Sequence, residues 1–362
     1  MRCTYCFVPK YGWYKINNQT LEELAVCLEK YIDTNKMVVG ILGGEPFLYK
    51  DLLVETILFV NKRLKQFNLE FYIWTNGLLV NKEVLQSLQE IDARVEIAFS
   101  IDGIPDTVSQ DRTQVKNYAL TNKLIQNFHL AKKILGREQV SITMTVSTKS
   151  IESFEENIMY LFDLNPYFLR FRLASGGAWN KKLIDIYLKQ FHKIYIYYID
   201  TLYIKWKIDS LPTIEQFEYM IDIKSENLWA CSKWVNLTLT PDGFFVPCYN
   251  FLTKEKQEEF KYPIWVWELA WSSQHDTNFQ EWRAASYSYN NGVKATDNLP
   301  ESARYNYSIC ITWDFKNDEK QEVLNAWKYR EEEEKNIGLR VFHYYLTKHG
   351  KNLYELSRTY NK

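Results

Sequence analysis

The first half of this 362-residue chain predicts an α/β fold built on a parallel sheet. Three observations carry that expectation. Segments with helical and strand-like patterning alternate from Leu21 to Leu173. Strand-like runs end on turn residues, at Gly43-Gly44, Asn76-Gly77 and Asp102-Gly103. After Gly177 the alternation gives way to a different pattern, and a smaller α+β region is expected there.

In order, Leu21–Lys36 carries Leu21, Leu24, Ala25, Leu28 and Ile32 at helical spacing and predicts an amphipathic helix. Met37–Leu42 is a short apolar run, read as a buried strand. Helices follow at Leu52–Phe67, Lys82–Ile91, Tyr118–Leu135 and Phe154–Leu164, and strands at Leu69–Thr75, Val95–Ser100, Val140–Ser147 and Phe168–Leu173. Strands separated by helices pair in parallel through crossovers. A long helix over about Lys181–Lys207 closes this unit. Trp234–Thr240 and Phe244–Cys248 flank Pro241-Asp242-Gly243, a hairpin signal. Lys254–Arg304 shows no clear period. Asn317–His349 reads as a helix, with Glu331–Glu334 as a solvated face. The resulting division is a core over 1–178, connecting helices over 179–226, a hairpin-bearing region over 227–315 and a C-terminal helix over 316–362.

Lysine and arginine total 44 against 45 aspartate and glutamate, a net charge of −1. That balance supplies no broad basic field, so nucleic acid is not an expected partner. No signal peptide is read at the start, and the most apolar run, near Ile194–Ile204, is interrupted by Asp200 and bounded by Lys205, so no membrane span is expected. A cytoplasmic protein is the expectation. The six cysteines are then metal ligands or free thiols rather than disulfides. Aromatic residues make up 16% of the chain, and they fit either core packing or a pocket for a bulky substrate.

Arg2-Cys3-Thr4-Tyr5-Cys6-Phe7 opens the chain, and Gly43-Gly44-Glu45-Pro46 follows one βα-unit later. Alone, the cysteine pair fits a zinc half-site, a redox pair or chance. In this order and spacing, with Thr75-Asn76-Gly77, Ser100-Ile101-Asp102-Gly103 and Arg112 behind them, the motifs resemble those of the radical SAM family. The resemblance covers about residues 1–175. It implies a partial (β/α)6 TIM-like barrel lacking its first strand as written, with chemistry at the C-terminal strand ends. It also implies a [4Fe–4S] cluster that cleaves S-adenosylmethionine (SAM) to a 5′-deoxyadenosyl radical. By that resemblance Cys3 and Cys6 are the second and third cluster ligands, the first falls two residues before Met1, and Met1 is an internal methionine. Tyr5, Phe7, Gly43, Gly44, Glu45, Pro46, Thr75, Asn76, Ser100, Asp102, Arg112, Arg170 and Arg172 become the expected cofactor-binding set. Glu45 is placed on the SAM ammonium and Ser100 and Asp102 near its ribose. Arg170 and Arg172 alternate on the last strand and so share a face, toward either a ligand or internal ion pairs.

Cys231 and Cys248 flank the hairpin with Gly243 between them, and this resembles the start of a SPASM/twitch extension. With Cys310 they could ligate one auxiliary iron–sulfur cluster, or all three could be buried thiols. Cys27 lies within a helix and reads as structural. The resemblance implies a radical SAM enzyme acting on a peptide, a protein or a small molecule, and an electron donor such as a flavodoxin or ferredoxin. The alternatives are a non-catalytic binding protein that keeps the barrel with an incomplete cluster site, and a zinc protein.

Overall fold

A computed structural model describes residues 3–6, 18–31, 36–113, 118–174, 177–201, 212–214, 217, 238–239, 244–246, 262–263 and 317–349. The elements alternate as α1 (Asn18–Tyr31), β1 (Lys36–Ile41), α2 (Lys50–Arg63), β2 (Asn68–Thr75), α3 (Lys82–Gln89) and β3 (Arg94–Ser100). They continue as α4 (Pro105–Val108), α5 (Tyr118–Leu135), β4 (Val140–Val146), α6 (Phe154–Asp163), β5 (Phe168–Leu173), α7 (Lys181–Ile199) and β6 (Thr213–Ile214). The strands form one parallel sheet in sequential order, and no pairing joins β6 back to β1 among the described residues. The fold is therefore an α/β sheet curved as a partial barrel and left open. The sixth strand falls at Thr213–Ile214, inside the stretch expected to hold only connecting helices. Two residues are too few to show a period of two, which is why the sequence pattern does not reveal it.

Alternation along each strand sorts its side chains by face. Leu69, Phe71 and Ile73 of β2, Val95, Ile97 and Phe99 of β3, Val140, Ile142 and Met144 of β4, and Leu169, Phe171 and Leu173 of β5 are buried and belong to the hydrophobic core. Helices cover this face, with Phe99 edge-on to Phe128 of α5 at 5.4 Å and Phe171 edge-on to Phe154 of α6 at 5.2 Å between ring centroids. The aromatics of α7 belong to the same core. Tyr187, Phe191, Tyr195 and Tyr198 recur at helical spacing, are all buried, and meet Phe154, Phe162 and Phe217. Among the described residues, these aromatics are packing rather than pocket lining. No described helix is long and apolar enough to cross a membrane.

The other face of the sheet is concave and polar. It carries Glu70, Tyr72 and Trp74 from β2, Glu96 and Ser100 from β3, Ser141, Thr143 and Thr145 from β4, and Arg170 and Arg172 from β5. Arg170 reaches the Tyr72 hydroxyl three strands away and ion-pairs with Glu96 at 3.3 Å, a reach that requires the sheet to curl. Ser141 donates to the same Glu96 carboxylate, and Arg94 lies 3.4 Å from its second oxygen. This network forms a charged but internally paired floor.

A second, antiparallel sheet holds β7 (Thr238–Leu239), β8 (Phe244–Val246) and β9 (Tyr262–Pro263), with Thr238 opposite Val246. The predicted hairpin is its first pair. Helix α8 (Asn317–His349) packs against α7. The expected solvated glutamate face holds only in part. Glu332 is exposed, whereas Glu334 is buried, 3.8 Å from Arg330 and hydrogen-bonded by Tyr187. Four consecutive residues cover more than a full helical turn, so the run cannot face solvent throughout, and at Glu334 the neighbour is α7.

Candidate functional site

The C-terminal ends of β1, β2, β3 and β4 converge on two carboxylates, Glu45 and Asp102. Glu45 follows the exposed Gly43-Gly44 turn and caps a single 3-10 turn over Pro46–Tyr49. Proline at the first helical position has no N–H to leave unpaired, and Glu45 accepts from the Phe47 amide at 3.2 Å. From the end of β2, the Thr75 hydroxyl donates to Oε1 at 2.6 Å and the Asn76 amide to Oε2 at 2.8 Å. A carboxylate has about four lone-pair sites, so three donors leave one acceptor direction. Burial pushes the Glu45 carboxyl up, against the pull of these three bonds. Thr75 and Asn76, expected on the cofactor, serve here to hold Glu45.

Gly77 makes the β2 turn at φ 75°, and Asn127 of α5 donates to its carbonyl at 2.7 Å. Gly103 makes the β3 turn at φ 135°, and a Cβ there would lie 2.0 Å from Asn157 Oδ1. That same oxygen accepts from the Ile104 amide and the Thr107 hydroxyl, each at 3.0 Å, and so fixes the backbone after Asp102. Gly103→Ala is expected to cost on the order of 2 kcal/mol from left-handed strain and the displaced Asn157. Urea unfolding measures it, and an unchanged midpoint would refute this account of the turn.

Asp102 is fully buried. Its Oδ1 accepts from Arg112 Nη2 at 2.6 Å and from the Thr145 amide of β4 at 2.9 Å, and its Oδ2 accepts from the Tyr5 hydroxyl. The resemblance placed Asp102 near a ribose. The structure gives it three protein donors, and Ser100 is half-buried on the concave face.

Arg112 is delivered by a single π-helical turn over Ser109–Thr113, a local geometry often found at functional sites. Its Nη1 lies 3.9 Å from Cys3 Sγ, and its guanidinium lies 5.7 Å from the Tyr5 ring centre. Burial works against the guanidinium charge, yet Asp102, Tyr5 and Cys3 together raise its pKa. At Cys3 burial raises the thiol, and Arg112 opposes it more strongly than Asp102 adds to it. Burial also drives the Tyr5 phenol well above its ordinary range. Cys3 is half-buried and Cys6 exposed, and the Cys6 amide closes the turn onto the Cys3 carbonyl at 3.3 Å.

Two residues unnoticed in the sequence complete the clasp. The Asp111 carbonyl accepts from the Thr4 amide at 2.9 Å, and its carboxylate accepts from the Ser147 hydroxyl at 3.0 and 2.9 Å. Asp111 therefore ties the cysteine turn to the end of β4. Its adjacency to Arg112 and the Ser147…Ser150 spacing were the only available signals, and both are too common to select. Of the remaining expected residues, Arg170 belongs to the internal ion-pair floor and Arg172 is exposed on the concave face. Phe7, Cys231, Cys248 and Cys310 lie outside the described residues, and Cys27 falls on α1.

The described strands thus form an open parallel α/β sheet with a cysteine turn clasped over its C-terminal strand ends. Residues 1–161 match the family model described as the Radical SAM superfamily. An uncharacterized protein of Methanocaldococcus jannaschii is 24% identical over 195 residues, 54% of this chain and 65% of that protein, so just under two thirds of the relative is spanned. The fold is similar to that of anSMEcpe solved with bound AdoMet and Kp18Cys peptide, with a TM-score of 0.64, 16% identity, and coverage of 94% of this chain and 95% of that one. It is also similar to Streptococcus suis SuiB bound to S-adenosylmethionine, with a TM-score of 0.51, 15% identity, and coverage of 74% and 60%.

Proposed function

We propose that this protein is a radical SAM enzyme that reductively cleaves S-adenosylmethionine and abstracts hydrogen from a peptide or protein substrate. The observation that carries the reading is the clasp. Tyr5 and Arg112 fasten the Cys3–Cys6 turn to Asp102, at the same end of the sheet as Glu45.

Two thiols on one turn, one exposed and one half-buried, fit two thiolate positions of an iron–sulfur cluster in both softness and spacing. No group of three or more histidine, cysteine, aspartate or glutamate side chains is placed to hold a metal among the described residues. A [4Fe–4S] cluster held by Cys3 and Cys6 would supply the electron that cleaves SAM. The chain's own residues do the rest. Glu45 offers its remaining acceptor direction to the substrate ammonium, and the exposed Gly43-Gly44 backbone permits close approach. Ser100 and Arg172 present a hydroxyl and a cation from the concave face. The Glu96–Arg170–Tyr72 floor closes that space from below.

The peptide-bound anSMEcpe structure, of similar fold, supports a peptide as the substrate class by analogy. A flavodoxin or ferredoxin is the expected electron donor, and Cys231, Cys248 and Cys310 are proposed ligands of one auxiliary cluster in a SPASM/twitch-like region. Anaerobic reconstitution with iron and sulfide, followed by SAM and dithionite, is expected to yield 5′-deoxyadenosine. Uptake of zinc without sulfide would overturn this reading. A non-catalytic role is the second reading, because only two thiols stand on the described cluster turn. SAM binding without 5′-deoxyadenosine release would establish it.

A further inference from the structure

Arg112 stands between a buried carboxylate and a cluster-ligand sulfur, and it is itself buried. We propose that Arg112 is an electrostatic tuning residue, whose guanidinium raises the reduction potential of the cluster on Cys3 and so eases its reduction. The inference rests on the cluster reading above and concerns a property that reading leaves open.

Reduction adds one negative charge to a cluster, so a nearby positive charge stabilises the reduced form, and hydrogen bonds to the sulfurs act in the same direction. Arg112 supplies both, with Nη1 3.9 Å from Cys3 Sγ. Asp102 opposes it, but that carboxylate is occupied by Tyr5, Arg112 and the Thr145 amide. Arg112 Nε is buried with no hydrogen-bond partner among the described residues. The same guanidinium therefore keeps one N–H for an acceptor that the described residues do not supply. The π-helical turn holds this geometry through Asp111, which receives the Ser147 hydroxyl on one side and the Thr4 amide on the other.

The test is a dithionite titration of the reconstituted full-length protein, with the reduced cluster followed by electron paramagnetic resonance. Arg112→Gln is expected to shift the midpoint to a more negative potential. Arg112→Lys keeps the charge and should stay nearer to wild type. Tyr5→Phe loosens the same turn without changing charge, and its midpoint should shift by clearly less than that of Arg112→Gln. Equal shifts in Arg112→Gln and Tyr5→Phe would mean that Arg112 acts only by holding the turn, and would overturn the proposal. So would an unshifted Arg112→Gln midpoint, or loss of the cluster from both Arg112 variants alike, in a wild-type protein that does carry the cluster. Failure of the wild type to take up iron and sulfide would instead bring down the cluster reading, and this inference with it.

Discussion

Replacing Asp102 with alanine is expected to destabilise the chain by about 3–5 kcal/mol, because one half of a buried ion pair is left behind. Arg112 would keep its charge inside the protein without the carboxylate that balances it, and the Thr145 amide would lose its acceptor. Tyr5 would lose the bond that fastens the cysteine turn to β3. The excess over an ordinary hydrogen-bond deletion is electrostatic, so it can be isolated. The double variant Asp102→Ala with Arg112→Met removes both charges and is expected to be less destabilised than Asp102→Ala alone. Urea unfolding of the two single variants and the double supplies the cycle. A double variant at least as unstable as the sum of the singles would show that the pair does not govern this region.

That prediction depends on contacts the sequence announces only in fragments. The five long strands are legible from their strand-like patterning, and three of them also end on turn residues, at Gly43-Gly44, Asn76-Gly77 and Asp102-Gly103. The helices are legible for the same reason, and Tyr118–Leu135 and Asn317–His349 have the expected bounds. What local pattern does not encode is partnership. Asp102 reads as a ligand-facing residue only through the resemblance, and its donors from positions 5, 112 and 145 have no sequence signal. Asp111 and Ser147 carry no motif at all, and their bond exists only because the π-helical turn lies against the end of β4. Arg170 and Arg172 do share a face, as their spacing requires. Arg170 sits deeper, where Glu96 claims it, whereas Arg172 lies two residues nearer the strand end and is exposed. The short β6 and the buried Glu334 escape notice for a related reason, since each is defined by its neighbour rather than by its own sequence.

Glu45→Ala is expected to weaken SAM binding on the order of tenfold to a hundredfold. A hydrogen bond to a charged group is worth about 1.5–3 kcal/mol, and each 1.4 kcal/mol is a factor of ten. The loss should exceed that contact, because Glu45 also anchors Thr75, the Asn76 amide and the Phe47 amide, and removing it frees the turns after β1 and β2 together. Glu45→Gln separates the two effects. It keeps the length and an oxygen for Thr75, yet presents an N–H to the Asn76 amide and no charge to an ammonium. Without ligand, the sign of its pH dependence is fixed by burial, which raises the Glu45 pKa in the folded chain. The folded state then holds the proton more tightly than the unfolded one. Stability from this group is fully present below the ordinary value of 4.5 and is lost as pH rises through the raised folded value. Glu45→Gln has no such loss, so its stability relative to wild type should improve from pH 4 to pH 7, while its SAM affinity at pH 7 falls. Thermal unfolding across that range and equilibrium dialysis with labelled SAM read the two quantities separately. Relative stability that declines with pH would reverse the assigned shift, and undiminished SAM affinity would remove Glu45 from the site.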